Sequence, residues 1–266
     1  MNIHSVSLKG LREHNEDKHI IILNIDNNNP NLAPVNLYGI FDGHGGKTVS
    51  KFLYDNLSKF FMDPKVIYPL SKRYVNDVCD EIQKNLKAKE YARHIGSTAL
   101  VVIQFKYHNE NYVNVINVGD CRCIICRDNF AMPLTKDHKP NWPEERGRIE
   151  KLGGNIIFDN YDWRIKDLSV SRAFGDIDAT PYVTHRPDLF RYKLDRNDKF
   201  IILSCDGLFE KMTTEDSVNF VLLNSYDATT KKRTNQKINM AKKLAEYGIE
   251  KGSGDNISTI IIFLSS

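Results

Sequence analysis

Apolar positions along the chain follow two different periods. Short runs rich in β-branched and aromatic residues occur at "KHIIILNI" (18–25), "PVNLYGIF" (34–41), "STALVVIQF" (97–105), "YVNVINV" (112–118), "RCIIC" (122–126), "KFIILSC" (199–205) and "NISTIIIF" (256–263). Their length and composition predict strands. Five other stretches, 47–61, 72–91, 143–152, 215–224 and 237–252, carry apolar residues at helical spacing. In the second of them Tyr74, Val75, Val78, Ile82 and Leu86 share one face and Lys and Glu fill the other, so that helix has one side to bury. Strands in succession favour antiparallel pairing, and paired helices need a sheet to cover. The pattern therefore predicts an α+β fold of four layers, two packed antiparallel sheets with helices on each outer face. Residues 159–199 are expected to be mostly irregular, with one short strand or helical turn. A connection that long inside a domain is usually a lid or a binding loop.

Composition narrows the class. With 266 residues, 41% hydrophobic and 27% charged, one domain spanning 1–266 is expected, with low complexity confined to "DNNNPN" (26–31). A net charge of +3 without a basic stripe argues against nucleic acid or a membrane as partner. The apolar runs are far shorter than the ~20 residues of a spanning helix. The N-terminus lacks the apolar core of a signal peptide and has Asn2 where myristoylation needs glycine. Five cysteines, an odd number, fit reduced thiols better than a disulfide framework. A soluble cytoplasmic monomer is expected, with "KKR" (231–233) as a weak nuclear alternative to a solvated helix entrance. "CRCIIC" (121–126) reads as strand packing rather than a metal site, because alternation points Cys121 and Cys123 one way and Cys126 the other.

The chemistry lies at the strand ends. "YGIFDGHGGKT" (38–48) ends like a nucleotide-binding loop, yet Phe41 stands where such a loop needs glycine. Asp42, Asp120 and Asp206 follow three predicted strands, while Glu16, Asp17 and Asp255 precede two others. In antiparallel sheets these ends adjoin, so six carboxylates are expected on one rim. Such crowding requires positive charge, and hard oxygen ligands select Mg²⁺ or Mn²⁺. A carboxylate shared by two ions about 3.5–4 Å apart is the arrangement that activates water against phosphorus. Asp42 is the expected bridge, Gly43 lets a backbone carbonyl reach an ion, and His44 stands beside the water as a proton carrier.

These stretches together resemble the metal-dependent serine/threonine protein phosphatases, the PPM or type 2C family. Nine segments match in the family's order: "REHNED" (12–17), "FDGHGG" (41–46), "GSTAL" (96–100), "VGDCR" (118–122), "DHKP" (137–140), "RIEKLGG" (148–154), "LSVSRAFGD" (168–176), "SCDGLFEKM" (204–212) and "GSGDNIS" (252–258). The resemblance implies a β-sandwich flanked by antiparallel helices. It implies one ion on Asp42, Asp206 and Asp255, and a second on Asp42 and the carbonyl of Gly43, with Glu16 and Asp17 on its waters or on the ion itself. It places Arg12 on the substrate phosphate and His44 as general acid. Phosphorylated proteins are the implied substrates, hydrolysed in one step without a phosphoenzyme, so no cysteine takes part.

One departure stands out. Where the family usually reads Asp-Gly-Ile-Trp-Asp, this chain has "DGLFE", with Phe209 for Trp and Glu210 for Asp. The replaced Asp helps hold a weaker third ion with the counterparts of Asp120 and Asp206, so the longer Glu210 alters that site. All central ligands are kept, which disfavours a catalytically silent relative, and the modest charge disfavours a two-metal nuclease. Other motifs are read as structural: His138 in "DHKP", Ser171, Arg172 and Asp176 as anchors of the long loop, Thr213 in "TTEDS" as a helix cap, and Trp142 and Trp163 as packing or lid residues. With the last apolar run closing at Phe263, no appended regulatory domain is expected.

Overall fold

A computed structural model describes residues 2–25, 34–63, 65–230, 232–234 and 237–264. The "DNNNPN" loop and the first residue of "KKR" lie outside them. The first part of the chain forms strands β1 (Asn2–Leu8), β2 (Lys18–Ile25), β3 (Val35–Phe41) and β4 (Gly43–His44), then helices α1 (Thr48–Phe61) and α2 (Lys72–Lys87). Strands β5 (Gly96–Ser97), β6 (Ala99–Tyr107), β7 (Glu110–Val118), β8 (Arg122–Arg127) and β9 (Phe130–Pro133) lead to α3 (Pro143–Lys151). Short strands β10 (Ile157–Phe158), β11 (Trp163–Arg164) and β12 (Phe174–Gly175) precede β13 (Asp188–Lys193) and β14 (Asp198–Ser204). The chain closes with α4 (Asp206–Phe209), α5 (Thr214–Ser225), α6 (Met240–Glu250) and β15 (Ile257–Phe263).

One five-stranded sheet runs β1-β15-β14-β8-β9 and the other β13-β7-β6-β3-β2, with every pairing antiparallel. Alternation along each strand sorts its side chains into layers. Ile260 and Ile262 of β15 meet Tyr38 and Ile40 of β3 in the core between the sheets, while Ile257, Ile261 and Phe263 face the layer of α5 and α6. Leu37 and Phe41 point outward onto α1 and α2. Central strands are thus buried on both faces, which is why they read as nearly continuous apolar runs. Cys121 and Cys123 lie between the sheets and Cys126 on the opposite face, as the alternation predicts. All five thiols are free and buried.

The helices follow the expected periods with firmer ends. Ser71 caps α2 by accepting from the Tyr74 N–H, and Thr213 forms a reciprocal capping box with Asp216. Helix α2 stops at Lys87 rather than continuing to residue 91, and a separate turn of 3₁₀ helix follows at Glu90–Arg93. Strands outside the seven apolar runs include β1, β4, β9, β10, β11, β12 and β13. β1 alternates weakly polar residues and pairs at the sheet edge, and the stretch 159–199, expected to hold one short strand or helical turn, contains β11, β12, a turn of 3₁₀ helix at Ile177–Ala179 and the six-residue β13.

That stretch is fastened by a polar network. Glu145 of α3 is buried and accepts from Arg172 at 2.6 Å and Arg148 at 2.9 Å. Arg172 also reaches Asp188 at 3.0 Å, and His138 Nε2 bonds the same carboxylate at 3.1 Å. Burial alone would raise the Glu145 pKa, but the two arginines, Arg172 foremost, hold it at about 2. Replacing Arg172 with Met should leave Glu145 buried with one partner fewer, at a loss of about 3–5 kcal/mol. Because the Glu145 pKa is lowered on folding, its contribution is present above the unfolded carboxylate value of about 4.3 and vanishes as pH falls toward 2. Urea unfolding of the wild type should therefore weaken over that window, and Arg172→Met should show a shallower decline from a lower starting point.

Candidate active site

Register brings the acids together. Lys18 pairs with Phe41, which sets Glu16 and Asp17 beside Asp42. Ser204 pairs with Thr259, and the Cys205 N–H donates to Ser258 at 3.1 Å, so Asp206 faces the segment carrying Asp255. Asp120 follows β7 after Gly119, whose φ of +112° turns the chain across the rim. Both sheets thus deliver carboxylates to one cleft of about 670 Å³, lined by Arg12, Asp42, His44, Asp120, Asp206 and Asp255 among others. Ligand atoms of Asp42, Asp120 and Asp206 lie within 4.8 Å of one another, as do those of Asp17, Asp42 and Cys205. Gly43 is needed at the turn, since a Cβ there would sit 2.6 Å from the carbonyl oxygen of Glu16.

The electrostatics follow from this crowding. Burial first, and then Asp17, Asp206, Asp120 and Asp255, push the Asp42 carboxyl well above its ordinary range. Burial likewise raises Asp17 to about 6, and both of its carboxylate oxygens are buried without a hydrogen-bond partner. Asp206 is pushed up to about 8 by burial and Asp120, against the pull of Lys139. So many carboxylates cannot all ionise without compensating positive charge.

One such charge belongs to the chain. The Lys139 ammonium lies 2.5 Å from Asp120 Oδ2 and 3.7 Å from oxygens of Asp206 and Asp162. Its neighbour His138 accepts from the Gly119 N–H at 3.0 Å through Nδ1 and so braces the turn before Asp120, the structural part expected of it. The Glu210 N–H donates to the Asp206 carbonyl at 3.0 Å, but the Glu210 carboxylate is not part of the Asp42, Asp120 and Asp206 cluster among the described residues. Its Oε2 accepts from Ser253 Oγ at 3.0 Å and from the Gly254 N–H at 3.2 Å.

The remaining site residues sit at the mouth. Arg12 is largely exposed and pairs with Asp255 at 2.8 Å. Asn256 fastens its loop, donating to the carbonyls of Lys9 and His14 and accepting from the Glu16 N–H. The Glu16 carboxylate in turn accepts from the Gly46 N–H at 3.1 Å. His44 Nε2 bonds Asp176 Oδ2 at 2.7 Å. Burial would lower the His44 pKa, but the bond and charge of Asp176, with Asp120 and Glu16, raise it overall. Cys205 borders Asp17 and Asp42, yet burial pushes its thiol well above the usual value, and the sulfur donates to the Asn256 carbonyl at 3.3 Å.

Asp176, Lys139 and Asn256 are site residues whose place the sequence does not show. In sequence Asp176 reads with Ser171 and Arg172 as a loop anchor, and Lys139 stays within "DHKP". No local pattern ties either residue to the strand-end acids.

Comparison with known proteins places the chain in a family. The family model described as Protein phosphatase 2C matches residues 1–257. A PP2C-like domain-containing protein, R307, of Acanthamoeba polyphaga mimivirus is 47% identical over 169 residues, covering 58% of this chain and 94% of that protein. The rat integrin-linked kinase-associated serine/threonine phosphatase 2C is 35% identical over 282 aligned positions, covering 96% of this chain and 70% of the relative. Among solved structures, serine-threonine phosphatase 2C from Toxoplasma gondii superposes with a TM-score of 0.78 at 21% identity, over 99% of this chain and 94% of that one, which supports the fold. A sex determining protein of C. elegans gives 0.84 at 21% identity, over 99% of this chain and 65% of that chain. On the match over residues 1–257 and the identity to a relative aligned with 96% of the chain, the chain belongs to the protein phosphatase 2C family and is a serine/threonine protein phosphatase of that type.

Proposed function

We propose that the cleft hydrolyses phosphoserine and phosphothreonine esters of proteins in one step, with water as the nucleophile, no phosphoenzyme, and two divalent cations held on the acid rim. The observation that carries this reading is the ring of Asp17, Asp120, Asp206 and Asp255 around Asp42. The unpartnered oxygens of Asp17 and the oxygen-rich donor set fit Mg²⁺ or Mn²⁺. The soft donors nearby are Cys205 and Cys121, and as buried thiols held protonated, Cys205 bonded to Asn256 and Cys121 to Thr98, they are not available as ligands. Asp42, Asp206 and Asp255 would hold one ion. Asp42 and the carbonyl of Gly43 would hold the other, with Glu16 and Asp17 behind it. The bound cations supply a lowered water pKa, and so a hydroxide nucleophile near neutral pH.

The chain's own residues do the rest. Arg12 presents a planar fork of donors at the mouth, matched to phosphate oxygens. His44, whose raised pKa favours the protonated ring, gives a proton to the seryl or threonyl oxygen as its bond to phosphorus breaks. The test is turnover of a phosphothreonine peptide with Mg²⁺, with Mn²⁺ and in excess EDTA. Turnover is expected with either ion, to fall at least ~100-fold in EDTA and to return when the ion is restored. Undiminished turnover in EDTA would overturn the metal reading, and no turnover by folded, ion-binding protein would make the chain a binding module.

A further inference from the structure

His44 is held by a small structure of its own. Strand β5 pairs with β4 on one side and β12 on the other, so Gly96 lies opposite both His44 and Gly175. Asp176 follows directly. It has a left-handed backbone, φ +46°, uncommon for a residue with a side chain, and its N–H is bonded to the carbonyl of Ile95. This conformation turns its carboxylate back over Gly96 to His44 Nε2.

Two features have no other evident purpose. A Cβ on Gly96 would stand 2.0 Å from Asp176 Oδ2 and 2.3 Å from His44 Nε2, so only glycine leaves room for the pair. Gln83 is a buried polar residue on the otherwise apolar face of α2. Its amide donates to the carbonyl of Gly175 and accepts from the N–H of the same residue, both at 2.9 Å. Helix α2 thereby clamps the residue that precedes Asp176.

We propose that Asp176 is the positioning residue of the reaction, fixing the His44 ring with Nε2–H toward its own carboxylate and Nδ1 toward the departing oxygen of the substrate. The inference rests on the reading of His44 as general acid given above. As the incoming hydroxide oxygen bonds to phosphorus, the ester P–O bond breaks and its electron pair passes to the seryl or threonyl oxygen. The proton on His44 Nδ1 moves to that oxygen. Nε2 keeps its proton, Asp176 keeps its charge, and the ring recovers a proton from solvent, to which the water lost one before attack. A carboxylate partner fixes both the tautomer and the orientation of an imidazole.

The test compares esters whose leaving groups differ in their need for a proton. With cation present, Asp176→Asn should lower kcat on a phosphothreonine peptide by ~10–100-fold, within the range of general acid catalysis, and on p-nitrophenyl phosphate by no more than ~3-fold. His44→Ala is run in parallel. Selective loss in His44→Ala with equal loss on both esters in Asp176→Asn overturns the positioning of His44 by Asp176 alone, and equal losses in both variants overturn the general acid reading beneath it. A second readout needs no turnover. ¹⁵N-labelled metal-free protein should show a downfield, slowly exchanging His44 Hε2 resonance that is lost in Asp176→Asn, and its absence from the wild type would overturn the proposal. If Asp176→Asn does not fold, Gly96→Ala takes its place, because it separates the same two side chains without altering either, and the same outcomes decide.

Discussion

Asp206→Asn should abolish turnover and, in the same protein, raise the thermal midpoint of the metal-free chain at alkaline pH. The two effects have one cause. Asp206 has a folded pKa of about 8, raised by burial first and by Asp120, far above the unfolded value of about 3.9. Between those values the native state holds more protons than the unfolded state, so its stability falls as pH rises through the window. Asparagine removes that fall. It also removes a charged ligand of the proposed first ion, so no compensating rate is expected. Lys139 keeps Asp120 as its partner at 2.5 Å, so no orphan ammonium offsets the gain. The Asp206 side chain is 36% exposed to the cleft, and solvent screens part of the effect. A rise of a few degrees near pH 8 is expected, on a scale where ~1 kcal/mol moves a chain of this size by about 2–4 °C. Near pH 5 the two proteins should melt closer together. Saturating Mg²⁺ or Mn²⁺ reverses the order, because binding at about 100 times Kd stabilises by about 2.7 kcal/mol and the variant lacks a ligand. A metal-free midpoint below the wild type at pH 8, or wild-type turnover, would refute this account.

The trade between activity and stability in the acid rim explains how much of this protein is legible in its sequence. Ile260, Ile261 and Ile262 alternate between two cores because a strand buried on both faces must be apolar throughout, and that run announces itself. The acids announce themselves by interrupting such runs. Asp42 and Asp206 follow strands that have no need of a carboxylate for packing, so position alone marks them. The His44 and Asp176 pair is 132 residues apart in sequence, and "SRAFGD" carries no periodicity that would direct a carboxylate to an imidazole. Gln83 is hidden for the opposite reason, since it occupies a buried position on α2 that an apolar residue would also satisfy. The edge strand β1 has half-buried polar residues along its length, a pattern too weak to separate from a loop. Glu210 shows a different limit. Resemblance predicts its place in a metal site from its neighbours, but its bonds to Ser253 and Gly254 depend on a turn over forty residues away.

Lys139→Met should destabilise the metal-free protein strongly and increase the number of cations it binds by one. Asp120 is 2% exposed, and the Lys139 ammonium is the cation in direct contact with it among the described residues, with the Arg122 guanidinium farther off on Asp137. Burial would lower the lysine pKa, but Asp120 and Asp206 raise it, so the side chain is charged at any physiological pH. Taking away one member of a buried pair costs about 3–5 kcal/mol, which for this size of chain corresponds to a fall in midpoint on the order of 10 °C. Methionine keeps the length and apolar stem of lysine and leaves Asp120 and Asp206 facing each other with no ammonium between them, while the Arg122 guanidinium nearby stays paired with Asp137. A divalent cation then has a reason to bind between them that it lacks in the wild type, where an ammonium already lies there. Equilibrium dialysis with Mn²⁺ should count two ions in the wild type and three in Lys139→Met, with a larger Mn²⁺-induced rise in midpoint for the variant. On the same argument Glu210→Asp alone should leave the metal dependence of turnover unchanged, since Lys139, and not the length of the acid at 210, decides whether a third ion enters. Equal ion counts in wild type and Lys139→Met, together with a lowered metal requirement in Glu210→Asp, would assign control of that position to Glu210 instead.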